Sequence, residues 1–226
     1  MKFEDLKELY KQYKEKYGVD AYKYISELLR EAKDIHKQDW LKNPTPANDH
    51  EQSWRAFKGK NLEKLILFII EIDVEDLGLK VINGNHLERT LPENLSFEEA
   101  QVKRRLCVDF GEFGLHLPDV DLIIYNPNNF EVLAVLSSKV TLRERIAQTG
   151  YWKLKLLQDK VTEHIKVYFI TPDEDKTLNI RDPAKKGRAI VEIDLDGSYV
   201  LTEEEIEESN KVKLFEHFIE DLKRLL

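Results

Sequence analysis

LPDVDLIIYNPNNFEVLAVLSSKVTLRER, residues 117–145, places two apolar runs on either side of a turn rich in proline and asparagine. DLIIY and EVLAVLSS have the length of strands, and Pro127 with its flanking asparagines supplies the reversal, so the stretch predicts a hairpin. A lysine, Lys139, follows the second run directly. Lysine is almost never fully buried without a partner. At the end of a core-like strand it either snorkels into solvent along its methylene stem or has a chemical task. Thr141 and Glu144 have capping-box spacing for a helix over 142–160, and IKVYFIT (165–171) reads as a continuous, buried strand.

Further along the chain, RAIVEIDL (188–195), Asp196-Gly197 and SYVLT (198–202) give a second hairpin signal, with helices expected from about 203 and 211. Upstream, FEDLKELYKQYKEKY (3–17) carries Phe3, Leu6, Tyr10 and Tyr13 at helical spacing and is stopped by Gly18; Asp20 is placed to cap a second helix running to Trp40. NPTPANDH (43–50) is a loop. Asn61 is expected to open LEKLILFIIEI, a helix apolar on nearly every side apart from Glu63 and Glu71. LGLKVIN reads as a strand ending at Asn83-Gly84, and Ser96 with Glu99 caps another helix. The order of elements predicts an α/β fold, a mixed central β-sheet flanked by helices. The expected division is an N-terminal helical region over 1–50 and a core over 51–226.

Composition removes several classes of function. One cysteine excludes an internal disulfide and a cysteine-based zinc site. No nucleotide-binding glycine motif is present, so no nucleotide cofactor is expected. The six histidines show no paired metal spacing. There is no long apolar run and no signal-like start, so a soluble, cytoplasmic protein without a membrane role is expected. Lys and Arg number 35 against 43 Asp and Glu, a net charge of -8. This weighs mildly against nucleic acid, although a carboxylate-rich metal site also makes a chain acidic, and its cation reverses the local field.

Alternation places Lys139 on the same strand face as Ser137, and Asp119 and Asp121 on a shared face of the partner strand. The hairpin can therefore bring an aspartate near the lysine. A carboxylate holding a hard cation beside an ammonium is what phosphodiester hydrolysis requires.

Pro118-Asp119, the hairpin and Ser137-Ser138-Lys139 resemble the PD-(D/E)xK nucleases, especially type II restriction endonucleases. The resemblance covers 117–155 and, beyond that, the order of elements. Serine at 137, in place of the second carboxylate, recurs in the branch that reads CCGG or CCNGG cores, where a glutamate from an upstream helix completes the site; here that is Glu63. A glutamate about fourteen residues after the lysine, used by some of these enzymes, is replaced here by Lys153. Lys139 followed by Arg143-Glu144-Arg145 matches the branch's base-reading element. Arginine pairs with guanine and a carboxylate accepts from cytosine N4.

The resemblance implies a Mg²⁺-dependent type II restriction endonuclease that cuts double-stranded DNA at a short palindromic, G/C-cored site as a homodimer. Asp119, Glu63 and Asp121 would bind metal, with the Pro-Asp match favouring Asp119. Asp119, Lys139 and Glu63 would be catalytic, and Arg143, Glu144, Arg145 and Gln148 would contact DNA. Read structurally instead, Glu63 is an acid near a helix N-terminus, favoured by the dipole. Arg143 and Arg145 would then lie on a solvated face. A structure-selective or repair nuclease on the same fold, and a non-catalytic DNA-binding protein with a degenerate nuclease fold, remain the alternatives.

Overall fold

The apolar runs bury both faces of a sheet, alternating except at an irregularity of register near Ile124 and Tyr125. Leu122, Ile124, Ala134, Leu136, Tyr168 and Ile170 lie in one apolar cluster, and Ile123, Tyr125, Val135, Val167 and Phe169 lie in the other. Strands buried on both sides need helices over both.

The computed structural model describes residues 1–44, 49–142 and 145–226. In chain order its elements are α1 (Phe3–Tyr17), α2 (Ile25–Lys42), α3 (His50–Asp76), β1 (Lys80–Asn83), α4 (Gly84–Arg89) and α5 (Phe97–Leu106). There follow β2 (Val108–Asp109), β3 (Leu115–His116), β4 (Leu122–Tyr125), β5 (Val132–Ser138), α6 (Arg145–Leu156) and β6 (Lys166–Thr171). The chain continues through α7 (Lys186–Asp194), β7 (Gly197–Val200), β8 (Val212–Leu214) and α8 (Phe218–Lys223). The main sheet runs β1-β4-β5-β6-β7-β8. It is antiparallel from β1 to β5 and parallel from β5 to β8, the mixed sheet expected of the sequence. β2 and β3 form a small separate ribbon.

One face is covered by α1, α2, α3 and α8, whose Leu6, Leu28, Leu65 and Phe218 join Leu122 and Leu136 in a single cluster. The other is covered through Leu87 of α4, Val102 of α5, Ile146 of α6 and Val191 of α7.

Several local expectations are corrected. α3 begins at His50, where Asp49 accepts a hydrogen bond from the Gln52 backbone N–H at 2.8 Å and caps the helix. Asn61 therefore lies inside α3, and its side chain donates to the Phe57 carbonyl at 2.8 Å. Asp20 caps nothing; it lies in a 3₁₀ turn over Gly18–Tyr24 that joins α1 to α2. Gly18 ends α1 as expected, at φ +61°, where side-chain-bearing residues are strained.

The second hairpin is absent. Residues 188–195, read as a strand, form most of α7 and its end, because Arg188, Val191 and Leu195 are buried at helical spacing. The Arg188 guanidinium is fully buried, donates to the Leu178 and Glu207 carbonyls and pairs with Glu192 one turn along. That polar anchor ties the helix to the connections before and after it. Residues 201–211 form neither helix nor strand, so the helix expected from about 203 is replaced by an extended connection into β8.

Candidate active site

β5 delivers Ser137 and Ser138 at its C-terminal end, and Lys139 just beyond them. Asp121 immediately precedes β4, whose Leu122 pairs with Leu136, so the antiparallel register brings this aspartate to the same end. The Asp121 carboxylate is buried. It accepts the Ser138 backbone N–H at 2.6 Å and the Lys139 ammonium at 3.0 and 2.9 Å on its two oxygens.

Glu63 reaches the same place from the middle of α3, and it is not an acid at a helix N-terminus. Asn85 donates to one of its oxygens at 3.2 Å and Asn83 to the other at 3.5 Å. Burial and then the neighbouring Asp121 charge push its carboxyl above the usual range, against the pull of Asn83 and Lys139. Two carboxyl groups and one ammonium thus share a single corner of the sheet.

Asp119 is placed apart from them. It is exposed, and it accepts the Gln148 side-chain amide at 2.6 Å. Gln148 in turn accepts from the Arg145 guanidinium at 3.2 Å. Asp119, Gln148 and Arg145 therefore form a polar chain along the exposed first turns of α6. Arg143 and Glu144 lie outside the described residues.

Residues 98–221 match the family described as BsaWI restriction endonuclease type 2. A protein of Methanocaldococcus jannaschii named as type II restriction enzyme MjaVIP is 37% identical over 202 residues, 87% of each chain. The chain belongs to the type II restriction endonucleases. A Helicobacter pylori relative, named as type II restriction enzyme HpyAORF263P, is 40% identical over 134 residues, covering 59% of this chain and 67% of its own. Among solved structures, the restriction endonuclease PspGI in complex with substrate DNA superposes with a TM-score of 0.55 at 16% identity, over 98% of this chain and 92% of its own. The AgeI–DNA complex gives 0.54 at 14%, over 97% and 92%. At such identities the likeness is one of fold.

This restriction endonuclease also contains residues the sequence did not single out. Asn83 and Asn85 orient Glu63, while Asn83 caps α4 through a bond from the His86 N–H at 3.0 Å. Gly84 between them donates its N–H to the Asp121 carbonyl at 2.9 Å, and a Cβ there would run into the Val120 carbonyl oxygen. The signal was present in the sequence as Asn-Gly-Asn, but it reads there only as a turn. Thr149 of α6 donates to Ser137 at 3.3 Å. Lys153 is elsewhere: buried, paired with Asp196 at 2.7 Å and donating to the Ile165 carbonyl at 3.0 Å, it braces the start of β6.

A divalent hard cation fits this donor set. Among the described residues no three His, Cys, Asp or Glu side chains converge. Mg²⁺ does not require three, since it keeps several waters and is commonly bound by one or two carboxylates with substrate phosphate. The Glu63 carboxyl, raised first by burial and then by the Asp121 charge, is one whose ionised form such a cation would favour.

Proposed function

We propose that this chain hydrolyses both strands of double-stranded DNA at a short palindromic, G/C-cored site with Mg²⁺, as a PD-(D/E)xK enzyme akin to those that read CCGG or CCNGG. The observation that carries this reading is the Lys139 ammonium seated on the Asp121 carboxylate beside Glu63, at the end of the central hairpin. Asp121 is the main metal ligand and Glu63 the second. Asp119, kept from the cluster by Gln148, supports the reading end of α6. When bound, Mg²⁺ polarises the phosphate and lowers the pKa of a bound water. Lys139 orients the attacking water and offsets charge developing on the phosphate oxygens. Asn83 and Asn85 hold Glu63 in place, so little reorganisation is needed when DNA arrives.

Arg145 and Gln148, with Arg143 and Glu144, read base edges in the major groove, where arginine and carboxylate pairings distinguish G·C. A palindrome calls for a two-fold dimer, one site to each strand. No described helix is long and apolar enough to cross a membrane.

The test is incubation of the purified protein with unmethylated phage DNA, with Mg²⁺ and with EDTA. Discrete Mg²⁺-dependent fragments support the reading. Intact DNA across a wide temperature range rejects it in favour of a binding protein, and a smear rejects site recognition.

A further inference from the structure

Lys60 and Lys64 are one helical turn apart on α3, on either side of Glu63 in the sequence, and Arg89 ends α4 opposite them. Together with Asn85 and Thr90 they line an open cleft of about 540 Å³ whose wall includes Glu63 itself. Glu63 is the one acid in that lining. Lys58 on the same helix and Lys80 on β1 are paired with Glu174 and Glu98. Lys60, Lys64 and Arg89 have no carboxylate partner among the described residues; Lys64 has only the Phe3 ring, 5.5 Å away. In a chain of net charge -8, three uncompensated cations around one cleft are a local reversal of sign. Such a reversal draws a polyanion to one place on an otherwise repelling surface.

The cleft is also fixed relative to the site. Gly84 ties the start of α4 to the Asp121 backbone, and Asn85 ties it to Glu63. An anion held by these cations therefore sits at a set offset from the corner where Lys139 meets Asp121. We propose that Lys60, Lys64 and Arg89 form a backbone track for the cut strand, holding a phosphate next to the scissile one on the side of Glu63 away from Lys139. This rests on the DNA-cleaving reading above. Contacts of this kind fix register and orientation without reading sequence.

The experiment measures affinity of the full chain for labelled duplexes in Ca²⁺ at a series of KCl concentrations, for the wild type, each of Lys60→Ala, Lys64→Ala and Arg89→Ala, and the triple variant. Lys14→Ala, an exposed lysine of α1, is the control. Each phosphate contact contributes about 0.9 to the slope of log affinity against log salt. With one such phosphate held by each protomer of the dimer, the triple variant is expected to lose about two of slope, equally for duplexes of unrelated sequence, and to cut at unchanged positions. Once the cut site is mapped, a neutral methylphosphonate at the flanking position should weaken the wild type and leave the triple variant unaffected. An unchanged slope in the triple variant of a wild type that binds and cuts overturns the track alone. An altered cutting site also overturns it, because the residues would then be reading bases. A wild type that neither binds nor cuts overturns the underlying reading instead. Circular dichroism of each variant separates misfolding from lost contact.

Discussion

Lys139 grips both oxygens of Asp121, at 2.9 and 3.0 Å, across the end of the β4–β5 pair. The Ser138 backbone N–H holds the same carboxylate at 2.6 Å, so the aspartate is fixed even without the ammonium. Lys139→Ala should therefore remove cleavage while leaving the fold and DNA affinity largely intact. The lysine side chain is 37% exposed but Asp121 only 7%, so the variant leaves a buried carboxylate held by the Ser138 N–H, at a cost of about 1–3 kcal/mol. Single-turnover cleavage, set beside urea denaturation, checks both halves. Full activity in the variant would contradict the assignment.

The two aspartates make a sharper comparison. Asp121 is buried beside Lys139 and Glu63, whereas Asp119 is exposed and bonded to Gln148. Asp121→Asn is expected to lower the cleavage rate by at least about 10²-fold, the scale for losing one directed electrostatic contact. Asp119→Asn keeps an acceptor for Gln148 and should lower it by less than about tenfold. Equal losses would place both carboxylates at the reacting phosphate.

The strands of the site were legible because burial on both faces needs an unbroken apolar run, and 122–125, 132–136 and 167–170 have one. Lys139 stood out because a charge at the end of such a run needs a reason. What stayed hidden depends on distance in space. Asp121 and Asp119 share a face and a chemistry, and only Gln148, 29 residues on from Asp119, separates their roles. Asn83 and Asn85 acquire their meaning from Glu63, about 20 residues upstream. The segment 188–195 resembles a hairpin strand because Asp196-Gly197 follows it, whereas the buried Arg188 that anchors it as a helix meets carbonyls distant in sequence.

Gly84 is expected to tolerate no side chain. A methyl group would collide with the Val120 carbonyl, a rigid backbone atom one residue from Asp121. Gly84→Ala should cost about 1–3 kcal/mol in urea denaturation, as overpacking does. It should also slow cleavage in whatever folded protein remains. A variant with wild-type stability and rate would show that the turn can move freely.

Asp173 links stability to pH. It is buried beside β6, and burial raises its carboxyl from 3.8 to about 6, with Asp175 adding to the rise and the Leu178 and Thr177 N–H groups opposing it. An acid that holds its proton more tightly when folded destabilises the fold as pH rises from 3.8 through about 6. The wild type should therefore gain stability relative to Asp173→Asn on going from about pH 7.5 to pH 5.5. Denaturant midpoints of both proteins at the two values decide it; a difference that does not change with pH contradicts the shift.

Phe218 and Leu222 of α8 are fully buried in the cluster that also holds Leu6 and Leu136. Parallel pairing of β5 through β8 likewise joins segments far apart in sequence. Contacts of such separation form late, after the cost of closing long loops has been met. On the ribosome the sheet cannot close over its helices until residues beyond 222 have emerged. A chain lacking α8 would leave the face of the sheet that carries Leu122 and Leu136 without part of its cover. The corner that holds Asp121 and Lys139 thus depends on a helix about 80 residues further along the chain than that lysine.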